Sequence, residues 1–393
     1  YGLLSASIKR GVRTMEKSKV YFTSFKTSFT ENLMQKLARL VKTAGIENIN
    51  FQDHYAAIKI HFGEYGNLAF LRPNYAKVIA DIVKEQGGKA FLTDCNTLYV
   101  GSRKNAVDHL ETAYMNGFTP YATGCPVIIA DGLKGTDEVL VPVEGEYVKE
   151  AKIGRALMDA DILISLTHFK GHEATGFGGA IKNIGMGGGS RAGKMEQHSA
   201  GKPYVNKRLC VGCGMCTRVC AHDAITIDER KAQINHDKCV GCGRCVGVCP
   251  KDAVTPGLSE SNDILNCKMA EYTLAICKDR PCFHISLICD VSPNCDCHPE
   301  NDRPIIPNVG MLASFDPVAL DMACADLCNQ QPVLSNSVLA ENIEQHKHEH
   351  GECDCGHGHD HFYFTHPDTN WRSCIEHAVK IGLGTDQYEL IEV

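Results

Sequence analysis

DILISLTHFKGHEATGFGGAIKNIGMGGGSRAGKMEQHS, residues 161–199, opens on a short apolar run and closes on glycines and cations. The run DILISL is apolar at nearly every position rather than at alternate ones. That pattern marks a strand covered on both faces, as in a parallel sheet flanked by helices. The chain leaves this strand directly into a glycine-rich polar stretch, and ligands of open α/β sheets bind beyond the carboxyl ends of such strands.

The same alternation extends outward on both sides. KVYFTSF from Lys19, AAIKI from Ala56, AFLT from Ala90 and PVIIA from Pro126 are strand candidates. Ser28 and Glu31 have capping-box spacing for a helix with Leu33, Leu37, Leu40, Val41 and Ala44 on one face. Pro73 opens a second helix, closed by Gly87 and Gly88, and Arg103 to Asn116 forms a third, stopped by Gly117. Beyond residue 256 the pattern resumes with a helix from Asp263 to Cys277 and a strand HISLICD from His284. A helix start at Asp316-Pro317 and a closing helix from Trp371 to Lys380 follow. This is an α/β fold with a mostly parallel sheet and flanking helices.

Residues 204–256 interrupt it. Cys210, Cys213, Cys216 and Cys220 have the spacing C-x2-C-x2-C-x3-C, and Cys239, Cys242, Cys245 and Cys249 repeat it before Pro250. Three thiolates within seven residues wrap one face of an iron–sulfur cubane, and the fourth of each run ligates the other cluster. One [4Fe–4S] cluster is therefore assigned to Cys210, Cys213, Cys216 and Cys249, and a second to Cys239, Cys242, Cys245 and Cys220. Structural zinc prefers two CxxC pairs with a longer spacer and has no use for a third cysteine. Ala221 stands where the first run would carry proline, which removes no ligand. The expected organisation is thus an α/β domain over residues 15–203 and 257–393, with a two-cluster ferredoxin-like insertion at 204–256. Residues 1–14 are expected to be a non-native or disordered tail, with Met15 as the start.

The chain of 393 residues carries a net charge of −7, which gives no reason to expect nucleic acid or an anionic membrane as partner. No run approaches the length of a membrane span. Its 21 cysteines without an export signal suit metal binding in a reducing, anaerobic cytoplasm.

Within the opening stretch, Gly188, Gly193 and Lys194 match G-x4-G-K, but Met195 stands where a P-loop needs a hydroxyl. Gly176, Gly178 and Gly179 fail the dinucleotide spacing at Ile181. What remains is a candidate crevice for a small anionic substrate or a phosphate-bearing cofactor such as a flavin. His168, Lys170, His172 and Lys182 are its candidate catalytic groups. Lys59 and His61 after the second strand, Asp94 and Asn96 after the third, and Asn183, Arg191, Lys194 and His198 are its candidate cofactor-binding groups. Asp131 occupies an equivalent place after PVIIA.

KIHFGE from Lys59, FLTDCNTLYVGSR from Phe91, the stretch from His168 to Lys194, CDCHP from Cys295 and FDPVALD from Phe315 together resemble the "domain of unknown function 362" family. The resemblance covers nearly the whole chain after Met15. It implies the α/β fold and the cluster-bearing insertion, and no reaction.

Cys295 and Cys297 form a C-x-C before His298 and are a candidate third metal or redox site. Cys324 and Cys328, four apart on a helix, are assigned to core packing, as are Cys277 and Cys289. HKHEHGECDCGHGHDH, residues 346–361, reads as a loop able to take Zn or Ni. The leading function is a ferredoxin-linked oxidoreductase relaying single electrons between a soluble ferredoxin-like protein and a compound in the crevice. An electron-transfer subunit of a larger complex and a metal or cluster delivery factor are the alternatives.

Overall fold

The computed structural model describes residues 17–98, 101–198, 202–255, 261–350 and 360–393, without the side chains of 349–350. The tail at 1–14 therefore lies outside the described residues.

Eight strands form the central sheet: β1 (Ser18–Ser24), β2 (Tyr55–Lys59), β3 (Lys89–Asp94), β4 (Val127–Ile129), β5 (Ile162–His168), β6 (Cys282–Ile288), β7 (Gly310–Ser314) and β8 (Tyr388–Glu392). Their order is β8-β1-β7-β6-β5-β2-β3-β4. Only the two pairings made by β7, with β1 and β6, are antiparallel. The sheet is α/β in character and mostly parallel. All seven residues of β5 are buried, which explains why DILISL lacks alternation.

The helices are α1 (Leu33–Thr43), α2 (Pro73–Glu85), α3 (Ala106–Met115), α4 (Ala180–Gly188), α5 (Arg191–His198), α6 (Asn262–Cys277), α7 (Pro317–Asn329), α8 (Val338–His350) and α9 (Arg372–Lys380), together with shorter turns. One buried cluster joins α1 and α2 to one face of the sheet, and a second joins α6, α7 and α9 to the other. The capping box at α1 is Asn32 with Gln35, not Ser28 with Glu31. Ser28 and Glu31 instead form an isolated bridge one turn earlier. Asn32 competes better because its side-chain oxygen takes two amide protons, those of Met34 and Gln35.

Two features decide where a site can be. The chain adds β3 and β4 on one side of β2, then crosses to place β5 and β6 on the other. That reversal opens a crevice between the carboxyl ends of β2 and β5. Second, α4 crosses α6 closely because Gly185 has no side chain: a Cβ there would meet the Met269 carbonyl and Thr273 Oγ1.

Between α5 and α6, residues 204–255 form a separate small unit. Tyr204–Val205 pairs antiparallel with Val254–Thr255, so its ends meet. A hairpin of Ile225–Asp228 with Lys231–Ile234 lies between them. Its buried residues, Cys210, Cys216 and Cys245 among them, form one cluster with Leu98 and Met195 of the α/β body. Cys324 and Cys328 are fully buried in the α7 core. The histidine-rich stretch is not a loop throughout: residues 346–350 continue α8, and His361 starts a short helix capped by Asp360. Residues 351–359 lie outside the described residues.

Candidate functional site

Gly212 and Gly214 sit between the cysteines of the first run with φ of +69° and +75°, and Gly241 and Gly243 sit in the second with +74° and +66°. Glycine populates this left-handed region freely, which lets each run curl around a centre. Cys210, Cys213, Cys216 and Cys249 line one cavity, and Cys220, Cys239, Cys242 and Cys245 line another. They enclose about 320 and 340 Å³, open solvent at the mouths included. Backbone N–H groups already point at sulfur: Ala232 to Cys210 at 3.3 Å, Ala253 to Cys249 at 3.2 Å and Ala224 to Cys220 at 3.4 Å. Burial, and then the neighbouring Cys242 and Cys239, push the Cys245 thiol up to about 12. Four crowded thiols around a cavity with amides aimed at sulfur match what a [4Fe–4S] cluster needs.

The crevice is the second site. It encloses about 720 Å³, open solvent at the mouth included. Of the twelve residues that sequence assigned, ten line it, all except Asn96 and Arg191. Asn96 turns away to give both side-chain protons to Asp131 and the Gly132 carbonyl, each at 2.8 Å. It fixes the turn after β3 rather than facing a ligand. Arg191 leaves the crevice for the cysteine unit, where a Cβ on Gly243 would lie 2.7 Å from its Cγ.

Lys59 forms the floor, 1% exposed, paired to Asp94 at 2.9 Å and to Asn183 Oδ1 at 3.0 Å. Burial lowers the Lys59 pKa against the opposing pull of Asp94. Burial alone would raise the Asp94 pKa, but the charges of Lys59 and nearby cations outweigh it and hold it down. Asn183 Nδ2 bonds the carbonyls of Lys59 and Leu166, locking α4 across β2 and β5. Burial, and then Arg103, keeps His61 neutral, with a pKa lowered to about 3.

At the end of β5, His168 Nδ1 lies 2.9 Å from Asp296 and its Nε2 lies 2.7 Å from the Cys289 carbonyl. Both nitrogens are taken by protein partners, so His168 positions the loop after β6 rather than meeting a ligand. Lys170 reaches the His168 carbonyl at 3.0 Å and Asp296 at 3.3 Å. His172 accepts amide protons from Ala174 and Thr175 at Nδ1, which leaves its own proton on Nε2. Lys182 Nζ stands 3.3 Å from Cys295 Sγ. Burial would depress the Lys182 pKa, but Cys295 and Cys297 outweigh it and raise it. Lys194 holds the Gly189 carbonyl at 2.6 Å, and burial lowers His198 to about 3.

Several participants were not singled out by sequence. Arg103, fully buried, pairs with Glu64 at 2.9 Å. Asp296, between the two cysteines of the C-x-C, is the buried hub of the β6 loop. Glu173 and His298 meet at 3.1 Å beside Cys297. The motifs KIHFGE, FLTDCNTLYVGSR and CDCHP contain most of these groups, but not their partners.

A family model described as domain of unknown function (DUF362) matches residues 56–326. The chain belongs to the DUF362 family. The match takes in every residue that lines the crevice and both cysteine runs of this DUF362 protein. No curated protein matches the chain. Among solved structures, a Thermotoga maritima structural-genomics protein is 13% identical with a TM-score of 0.41, covering 76% of this chain and 58% of that one. The lactate racemase apoprotein from Thermoanaerobacterium thermosaccharolyticum is 10% identical with a TM-score of 0.31, covering 70% and 51%. At these scores both are distant likenesses. Among the described residues, no helix is long and apolar enough to cross a membrane.

Proposed function

We propose that this DUF362 protein is an iron–sulfur oxidoreductase whose redox partner is a compact anion held in the crevice. Cys210, Cys213, Cys216 and Cys249 hold one [4Fe–4S] cluster, and Cys239, Cys242, Cys245 and Cys220 hold the other. When bound, such clusters supply one-electron transfer at low potential.

Helix α5 is the observation that carries this reading. Its Met195 is buried among the cysteine-unit residues, and its Arg191 packs on Gly243 of the second run. Its Lys194 and His198 line the crevice. One helix of eight residues therefore separates the two sites, a short path through packed protein.

Within the crevice, Lys170, Lys182 and Lys194 supply positive charge for an anion, and His172 can donate its Nε2 proton. Outside, Lys134, Arg218 and Arg244 are exposed around a groove that reaches Cys220. That basic rim suits an acidic electron-carrier protein.

Anaerobically purified protein should contain about eight iron and eight sulfide per chain. Dithionite-reduced protein, mixed with a panel of small carboxylates and phosphate esters, should be reoxidised by at least one of them. Lys182→Met should lose that reoxidation and keep its visible absorbance. Zinc at the eight cysteines, or equal reoxidation by the variant, overturns the reading.

A further inference from the structure

The loop after β6 and the hairpin after β5, in which Lys170–His172 pairs antiparallel with Gly176–Gly178, converge on a group of side chains distinct from the eight paired cysteines. Glu173, Cys297 and His298 each bring one donor atom to within 4.8 Å of the others. Cys295, two positions before Cys297, sits beside them with the Lys182 ammonium 3.3 Å from its sulfur. Asp296 makes this arrangement possible. Its side chain is fully buried and clamped by His168 and Lys170, and the turn around it, closed by the His298 N–H on the Cys295 carbonyl at 3.1 Å, keeps Cys295, Cys297 and His298 together.

We propose that Cys295, Cys297, His298 and Glu173 bind one divalent transition-metal ion of the zinc and ferrous class, at the edge of the crevice. Two thiolates, one imidazole and one carboxylate are a tetrahedral donor set for such ions, and too soft for magnesium or calcium. His298 is oriented for the task. Its Nε2 faces Glu173 at 3.1 Å while its Nδ1 lies 3.3 Å from Glu300, the carboxylate–imidazole contact that commonly steadies a metal-bound histidine. His172 is excluded as a ligand, because its Nδ1 accepts two backbone protons and its Nε2 keeps the hydrogen. Lys182 beside Cys295 balances the negative charge that three anionic ligands leave on a dication. Cys295 and Cys297 line the crevice, so the bound ion faces the same space as the anion.

The test uses the full chain with its iron in place, loaded anaerobically with Zn²⁺ and dialysed against a weak chelator. The wild type should retain a single zinc ion whose X-ray absorption edge reports two sulfur and two nitrogen or oxygen neighbours. Cys297→Ser should weaken zinc retention by at least about tenfold, with iron content unchanged. Glu173→Gln, a half-exposed position that leaves the fold intact, should weaken it likewise. A wild type that retains no zinc, or retention unchanged in both variants, overturns the proposal. So does a shell without sulfur, which would point to the histidine-rich tract, or one of sulfur alone, which would point to the cysteine runs.

Discussion

Replacing Lys59 with methionine tests whether the crevice floor is held by charge. Lys59 and Asp94 are both buried, 2.9 Å apart, and Asn183 adds a third contact at 3.0 Å. Removing one member of a buried ion pair costs roughly 3–5 kcal/mol, because the other charge is left without compensation. The Cys95 N–H at 2.9 Å, Arg103 at 3.8 Å and His109 at 4.0 Å also face the Asp94 carboxylate. Arg103 is already committed to Glu64 and burial keeps His109 neutral, so relief is partial. The expected cost is therefore about 3 kcal/mol, a large share of the roughly 5–15 kcal/mol that holds a typical domain together. The chain has one tryptophan, Trp371, 2% exposed in the α/β core and bonded to Asp360. Its fluorescence during urea unfolding reports the α/β body apart from the cysteine unit. Adding Asp94→Asn to Lys59→Met should recover about 1–3 kcal/mol of coupling. A single-variant cost below about 1 kcal/mol, or strict additivity of the pair, would refute the electrostatic account.

Three further outcomes are expected. Burial lowers His284 to about 3, so it stays neutral in the fold while the unfolded chain binds a proton near pH 6.5. Its contribution is present above that pH and is lost as pH falls toward 3; the stability gap between wild type and His284→Asn should shift by about 2 kcal/mol between pH 7 and pH 5, and a constant gap in urea titrations would count against it. Asp321 accepts the amide protons of Ala180 at 2.6 Å and Ile181 at 3.0 Å at the start of α4, so Asp321→Ala should cost roughly 2–4 kcal/mol by Trp371 fluorescence. Gly243→Val would place a side chain against Arg191 at a φ of +66°; iron content per chain after anaerobic purification should fall, and a full complement would show that α5 does not need this close approach.

Sequence determined what depends on near neighbours along the chain. The buried run at β5, the glycine-spaced cysteines and the polar groups ending β2 and β3 each declare themselves within a dozen residues, because strand burial and turn geometry are local requirements. It misjudged cases where only side-chain direction matters: Asn96 and Arg191 sit beside the crevice in sequence but aim elsewhere. The histidine-rich tract misled for a related reason, since its composition says nothing about the helix α8 that runs into it. Only tertiary structure decided that Glu173 meets His298 from 125 positions away, that Asp296 anchors the β6 loop through His168, and that α5 touches both sites. Those contacts come from the register of β5 with β6 and from the crossover that returns β5 to the side of β2 opposite β3, and neither leaves a signature in any one stretch of chain.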